Sequence, residues 1–112
     1  MSSLFKFRKY KKVEGGTHKR SKHPKLIVDE TREELGFIGL TESPKRGNHK
    51  NIPLDKNPKK GDKRPAYIGD ELRYDKKTKF EEILKDYNLS DKDIDKILKY
   101  VKKQKKEIVF GR

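Results

Sequence analysis

Two short apolar runs set what this chain can fold into. Leu26-Ile27-Val28 opens just after Pro24 and is ended by Asp29-Glu30; residues 35–40 carry Leu35, Phe37, Ile38 and Leu40. Both runs are strand-like in length and in their β-branched and aromatic content. The connection between them, residues 29–34, is short and acidic, so the pair predicts a β-hairpin whose turn lies on the surface, away from any basic face. Elsewhere apolar residues are thin: 29% of the 112 residues are hydrophobic and 44% are charged. Such a chain can fill one small core, and a single domain over residues 23–106 is expected, with residues 1–22 before it and a tail at 107–112.

Weaker strand signals flank the hairpin. Ile52 and Leu54, Ala66-Tyr67-Ile68, and Leu72 to Tyr74 each offer a short strand. Residues 1–22 form either a flexible basic arm or a first strand, and the alternation of Phe5 and Phe7 with Lys6 and Arg8 favours the strand. Residues 41–65 hold Pro44, Gly47, Pro53, Pro58, Gly61 and Pro65. A loop region this long in so small a domain calls for a functional reason or for disorder.

The last third changes period. Thr78 precedes Glu81 by three residues, and Phe80, Ile83, Leu84 and Tyr87 follow at helical spacing, which predicts an amphipathic helix stopping near Asn88. Ser90 and Asp93 repeat the start signal, and Ile94, Ile97, Leu98 and Val101 repeat the stripe. Lys102, Lys103, Lys105 and Lys106 suit the negative end of this second helix.

Charge supplies the functional clue. The 31 Lys and Arg against 18 Asp and Glu leave a formal charge of +13, more than solubility requires and suited to a polyphosphate partner. Residues 1–25 carry nine basic residues and one acid, and residues 41–66 carry eight and three, so a binding face is expected there. There is no cysteine, which removes disulfides, thiolate metal sites and cysteine nucleophiles and points to the cytoplasm. No stretch approaches the roughly 20 apolar residues of a spanning helix, and Met1 to Tyr10 lacks the apolar run of a secretory signal.

Within the basic stretches, Thr41-Glu42-Ser43-Pro44-Lys45-Arg46 places two hydroxyls and two cations at the end of a strand, groups that suit phosphodiester oxygens. The plainer reading is a Ser-Pro turn with solvated cations. His23 and His49 are candidate proton-transfer residues near neutral pH, against the commoner reading of surface histidines that do no chemistry. His18, His23 and His49 match no metal-ligand spacing, and Gly15-Gly16 lacks the Lys-Ser/Thr of a phosphate-binding loop, so no metal and no cofactor is expected. Tyr10 and Tyr67 are open to stacking on unpaired bases, whereas Phe37, Phe80 and Tyr87 are needed as core.

The order of these features resembles the MazF/PemK-like toxins, including their ToxN branch. Pro24-Lys25-Leu26-Ile27-Val28 looks like the family's basic-residue, Pro, apolar-strand element. Phe37-Ile38-Gly39-Leu40-Thr41-Glu42-Ser43-Pro44-Lys45 looks like its apolar strand ending in Thr-Ser, with one Glu inserted. Pro65-Ala66-Tyr67-Ile68 and a terminal helix fit its later elements. The resemblance covers residues 13–101; it departs at the first strand and at the arginine that precedes the Pro, where this chain has His23. It implies a small SH3-like β-barrel, which with the two C-terminal amphipathic helices read from the spacing gives an expected α+β fold. It also implies metal-independent endoribonuclease activity, with Thr41, Ser43 and Lys45 at the scissile phosphate and Arg20, Lys22 or His23 in place of the arginine.

Further nucleic-acid contacts are expected from Arg46, His49 and Lys50, and from Arg64 and Tyr67. The implied partners are RNA, an antitoxin of protein or RNA, and a second copy of the chain in a homodimer; no membrane is expected. Two other readings stay open at this point. One is a non-catalytic RNA-, DNA- or ribosome-binding module of phage or plasmid origin. The other is a basic adaptor or inhibitor that docks on an acidic protein.

Overall fold

In the computed structural model the backbone is described for residues 4–11, 23–69 and 71–110, and side chains for these residues except Arg46, His49 and 103–110. The two apolar runs form the expected hairpin: β2 (Lys25–Glu30) pairs antiparallel with β3 (Glu34–Thr41), with Leu26 opposite Ile38 and Ile27 opposite Phe37. Thr31 turns the chain, its hydroxyl accepting the Glu34 amide. A register shift between Ile27 and Asp29 bends β2. The first-strand reading holds in part, because β1 (Phe7–Arg8) pairs with β2.

Both faces of the hairpin are covered, which explains its continuous apolar run. Leu26, Val28 and Ile38 join Phe7, Ile68, Ile97 and Val101 on one side; Ile27, Leu35 and Phe37 join Phe80 on the other, with Tyr10 packed against them. Tyr10, Phe37 and Phe80 form an aromatic triad with ring centroids 4.9–5.7 Å apart. The Tyr10 hydroxyl donates to Asp75 at 3.0 Å, so this half-buried ring is part of the fold.

Strand β3 meets two partners at its two ends. Near its start it pairs with β8 (Arg73–Lys76), and at Leu40 and Thr41 it pairs with β7 (Tyr67–Ile68), which also pairs with β6 (Ile52–Pro53). After β8 comes a 3-10 turn, Lys77–Lys79. The chain then returns along the outer edge of β1, where Lys9 carbonyl accepts from Glu81 at 2.7 Å, Phe7 carbonyl from Leu84 at 2.8 Å, and Lys79 carbonyl from Lys11 at 2.9 Å. The sheet edge is thereby occupied.

That return corrects the first predicted helix. Residues 80–87 are not helical: Phe80 bridges Tyr10 and Tyr87 bridges Lys59. A helix would have put Phe80, Ile83, Leu84 and Tyr87 on one stripe. Instead Phe80 enters one core, while Leu84 and Tyr87 pack against the other. Pairing with β1 outweighs a local pattern of the right period. The second helix is present as α1 (Asp91–Phe110) and runs past residue 106. Ser90 Oγ accepts the Asp93 amide at 3.3 Å as the cap predicts, and Ile97 and Val101 are buried while Leu98 is exposed. The fold is α+β, an antiparallel sheet with one C-terminal helix. No helix among the described residues is long and apolar enough to cross a membrane.

Candidate nucleic-acid interface

The end of β3 is where the suggestive residues gather. Thr41 pairs with Tyr67, which pairs in turn with Pro53. The Thr41 hydroxyl accepts the Ser43 amide at 3.2 Å, a local bond typical of Thr at a strand end. Asn51 then closes the next segment, donating from its side chain to the Ser43 carbonyl at 2.8 Å and from its amide to the Pro44 carbonyl at 2.9 Å.

Between these closures lies a two-strand hairpin instead of an irregular loop. Strand β4 (Lys45–Arg46) pairs with β5 (His49–Lys50), and the register sets Lys45 opposite Lys50 and Arg46 opposite His49. Gly47, at φ 59°, takes the first central position of the turn, where a type II′ hairpin wants glycine. Like charges directly across a strand pair are unfavourable, and residues 43–51 contain no acid to offset them. The turn and the Asn51 bonds hold the hairpin; its charges do not.

A second loop leaves the same end of the sheet. Residues 54–66 are closed at the base by the Leu54 amide on the Ala66 carbonyl, 3.0 Å. Asp93 on α1 is fully buried and accepts the amides of Asp55 at 2.8 Å and Lys56 at 3.2 Å. Asn57 accepts the Lys59 amide and donates to the Arg64 carbonyl, both at 2.9 Å. Residues 86–88 brace the outside: Lys60 amide meets Asp86 carbonyl, and Asn88 amide meets Pro58 carbonyl, each at 2.8 Å. Gly61 supplies a positive φ of 81° at the tip.

The predicted site residues divide accordingly. Thr41, Ser43, Lys45 and Lys50 share this end with Tyr67, which is half-buried. His23 is exposed at the same end, since Lys25 pairs with Gly39 and the Leu40 amide bonds the Pro24 carbonyl at 3.1 Å. Arg64 bridges the two loops, 3.1 Å from Glu42 and 2.8 Å from Asp62. Hydrogen bonds from Arg64 draw the Asp62 carboxyl down to about 2. Arg46 and His49 belong to the hairpin by backbone register, their side chains lying outside the described part, and Arg20 and Lys22 fall outside the described residues altogether.

Two charges of the N-terminal stretch are taken into the fold. Lys25 is buried with its ammonium 5.6 Å from the centre of the Tyr10 ring. Arg8 Nε donates to the Glu81 carbonyl at 2.6 Å. At the opposite end of β3, cations have carboxylate partners: Lys77 on Glu30 at 3.0 Å and Lys79 on Asp75 at 3.3 Å. Lys45, Lys50, Lys59, Lys60 and Lys63 are exposed, and none has a carboxylate partner among the described residues.

Lys59, Lys60, Lys63 and Asp93 were not among the sequence-derived site residues. The lysines had a signal in the turn-rich run Pro58-Lys59-Lys60-Gly61-Asp62-Lys63. Asp93 had none, since its position in a helix start explained it fully. No cluster of three or more metal-ligating side chains occurs among the described residues. No family model, curated protein or solved structure matches this chain.

Proposed function

We propose that this protein binds RNA on the face built by residues 41–66. The observation that carries the reading is the β4–β5 hairpin, which holds Lys45 opposite Lys50 and Arg46 opposite His49 with no acid in the segment. A fold that holds cations together in this way is relieved by an anionic partner, and a phosphodiester backbone supplies regularly spaced charges. The half-buried Tyr67 and the hydroxyls of Thr41 and Ser43 add the stacking and hydrogen-bonding groups that a single strand uses.

Cleavage is the second reading, favoured by the convergence of Thr41, Ser43, Lys45 and His23 at one end of the sheet. It rests on the MazF/PemK-like resemblance. The site would bend RNA so that a 2′-hydroxyl lies in line with the leaving 5′-oxygen. Lys45 would stabilise the phosphorane-like charge, leaving a 2′,3′-cyclic phosphate and a 5′-hydroxyl. DNA would be held and not cut.

One incubation separates the readings: the protein with long single-stranded RNA at low salt and with EDTA. Cleavage that Thr41→Ala and Lys45→Ala abolish supports the nuclease. Intact RNA with a salt-dependent gel shift leaves binding alone. Absence of both overturns the proposal, and capture of an acidic polypeptide instead would make the face a protein-docking surface.

A further inference from the structure

Resting on the RNA reading, we infer that the loop of residues 54–66 is a second phosphate-binding site, formed by Lys59, Lys60 and Lys63 and held in position by Asp93. It would grip the backbone of the same strand that the β4–β5 hairpin holds.

The loop's shape does not depend on its lysine ammonium groups. Its base is closed by Leu54 and Ala66, its interior by Asn57 and Asp62, and its outside by Asp86 and Asn88. A loop held so thoroughly by backbone bonds resembles a presentation device more than a tether. Lys59, Lys60 and Lys63 line a shallow open hollow together with Gly61, Asp62 and Arg64. The acid in that hollow is already engaged, since Asp62 is bound by Arg64 through both of its oxygens. Three exposed lysines therefore line a hollow whose one acid, Asp62, already carries the Arg64 guanidinium. A phosphate group offers what is missing.

Asp93 sets the position of this site without touching the ligand. Its carboxylate has zero exposure and is directed at the amides of Asp55 and Lys56. A buried carboxylate left without such donors would be costly, so helix and loop hold each other. The nearest cation to it, Lys96, lies 4.0 Å away and bonds the Pro53 carbonyl at 2.8 Å. Asp93 and Lys96 together thus tie α1 to the two sides of the β6–loop junction. Sequence reasoning treats this residue as part of a helix start, and the cap is made by Ser90 alone.

The test is titration of the full-length protein with fluorescent single-stranded RNA across a salt series. Each phosphate contact on a single strand contributes about 0.7 to the slope of log affinity against log salt. Replacing Lys59, Lys60 and Lys63 by Ala should lower the slope by about 2. The residual binding should stay sensitive to Lys45→Ala. Asp93→Asn should lower the slope in the otherwise wild-type chain and have no further effect in the triple-lysine variant, with the helical circular dichroism retained in both. An unchanged slope in the triple variant, while Lys45→Ala still weakens binding, overturns the second site and leaves the RNA reading intact. An equal loss from Asp93→Asn in both backgrounds removes its positioning role. If the wild-type chain binds no RNA, the reading and the inference fall together.

Discussion

Residues 1–25 and 41–66 are both strongly basic, yet among the described residues Arg8 and Lys25 of the first are used differently from the loop lysines of the second. In the first stretch Phe7 is fully buried, Lys25 lies under the Tyr10 ring, and Arg8 bonds a backbone carbonyl of the segment that closes against β1. In the second, Arg64 is paired with Asp62 and Glu42, while Lys45, Lys50, Lys59, Lys60 and Lys63 stand on two braced loops without carboxylate partners among the described residues. Charge density alone does not mark a binding face; what matters is whether the fold has already given each charge a neighbour.

The comparison can be broken most severely at Phe7. Phe7→Ala should cost about 3–5 kcal/mol in chemical denaturation, because β1 is the seam between the hairpin and the returning segment. Next in size is the hairpin: Lys45→Ala with Lys50→Ala should reduce the salt slope of RNA binding by about 1.4. Stability should change by no more than about 0.5 kcal/mol. A smaller change follows from Arg64→Ala, which removes the guanidinium but keeps the backbone amide on Asp62 and should raise this carboxyl from about 2 part of the way towards its ordinary value, read from its carboxyl chemical shift. Because the folded value is depressed, this carboxylate's contribution to stability stands above pH about 4 and is lost as pH falls towards about 2. The variant should show a smaller dependence of the same sign. Smallest of all is Lys25→Met, which removes a positive charge from the basic N-terminal stretch and should leave the salt slope unchanged.

How much of this was legible in the sequence depended on where each side chain's partner lay. The β2–β3 hairpin was plain because a continuous apolar run needs cover on both faces and finds it. The capped start of α1 was plain because Ser90 and the Asp93 amide are local. Residues 80–87 misled because their helical spacing is real, but their backbone partners are distant: Phe80 to Leu84 meet residues 7–10, and Asp86 and Tyr87 meet residues 59–60. The hairpin within residues 43–51 had its glycine turn in view, although no apolar alternation announced the strands. Thr41 and Tyr67, both named from the sequence, are paired across β3 and β7 beside it. The anchoring of residues 54–66 by Asp93 was invisible, because a buried acid shows its role only when the amides it meets are known.

Lysine footprinting tests the RNA face: brief acetylation of the protein with and without saturating single-stranded RNA, read site by site by mass spectrometry. Protection concentrated at Lys45, Lys50, Lys59, Lys60 and Lys63, with exposed lysines such as Lys76, Lys85 and Lys99 reacting as before, is the predicted result. Protection spread over all exposed lysines alike, or confined to residues outside 41–66, would contradict it.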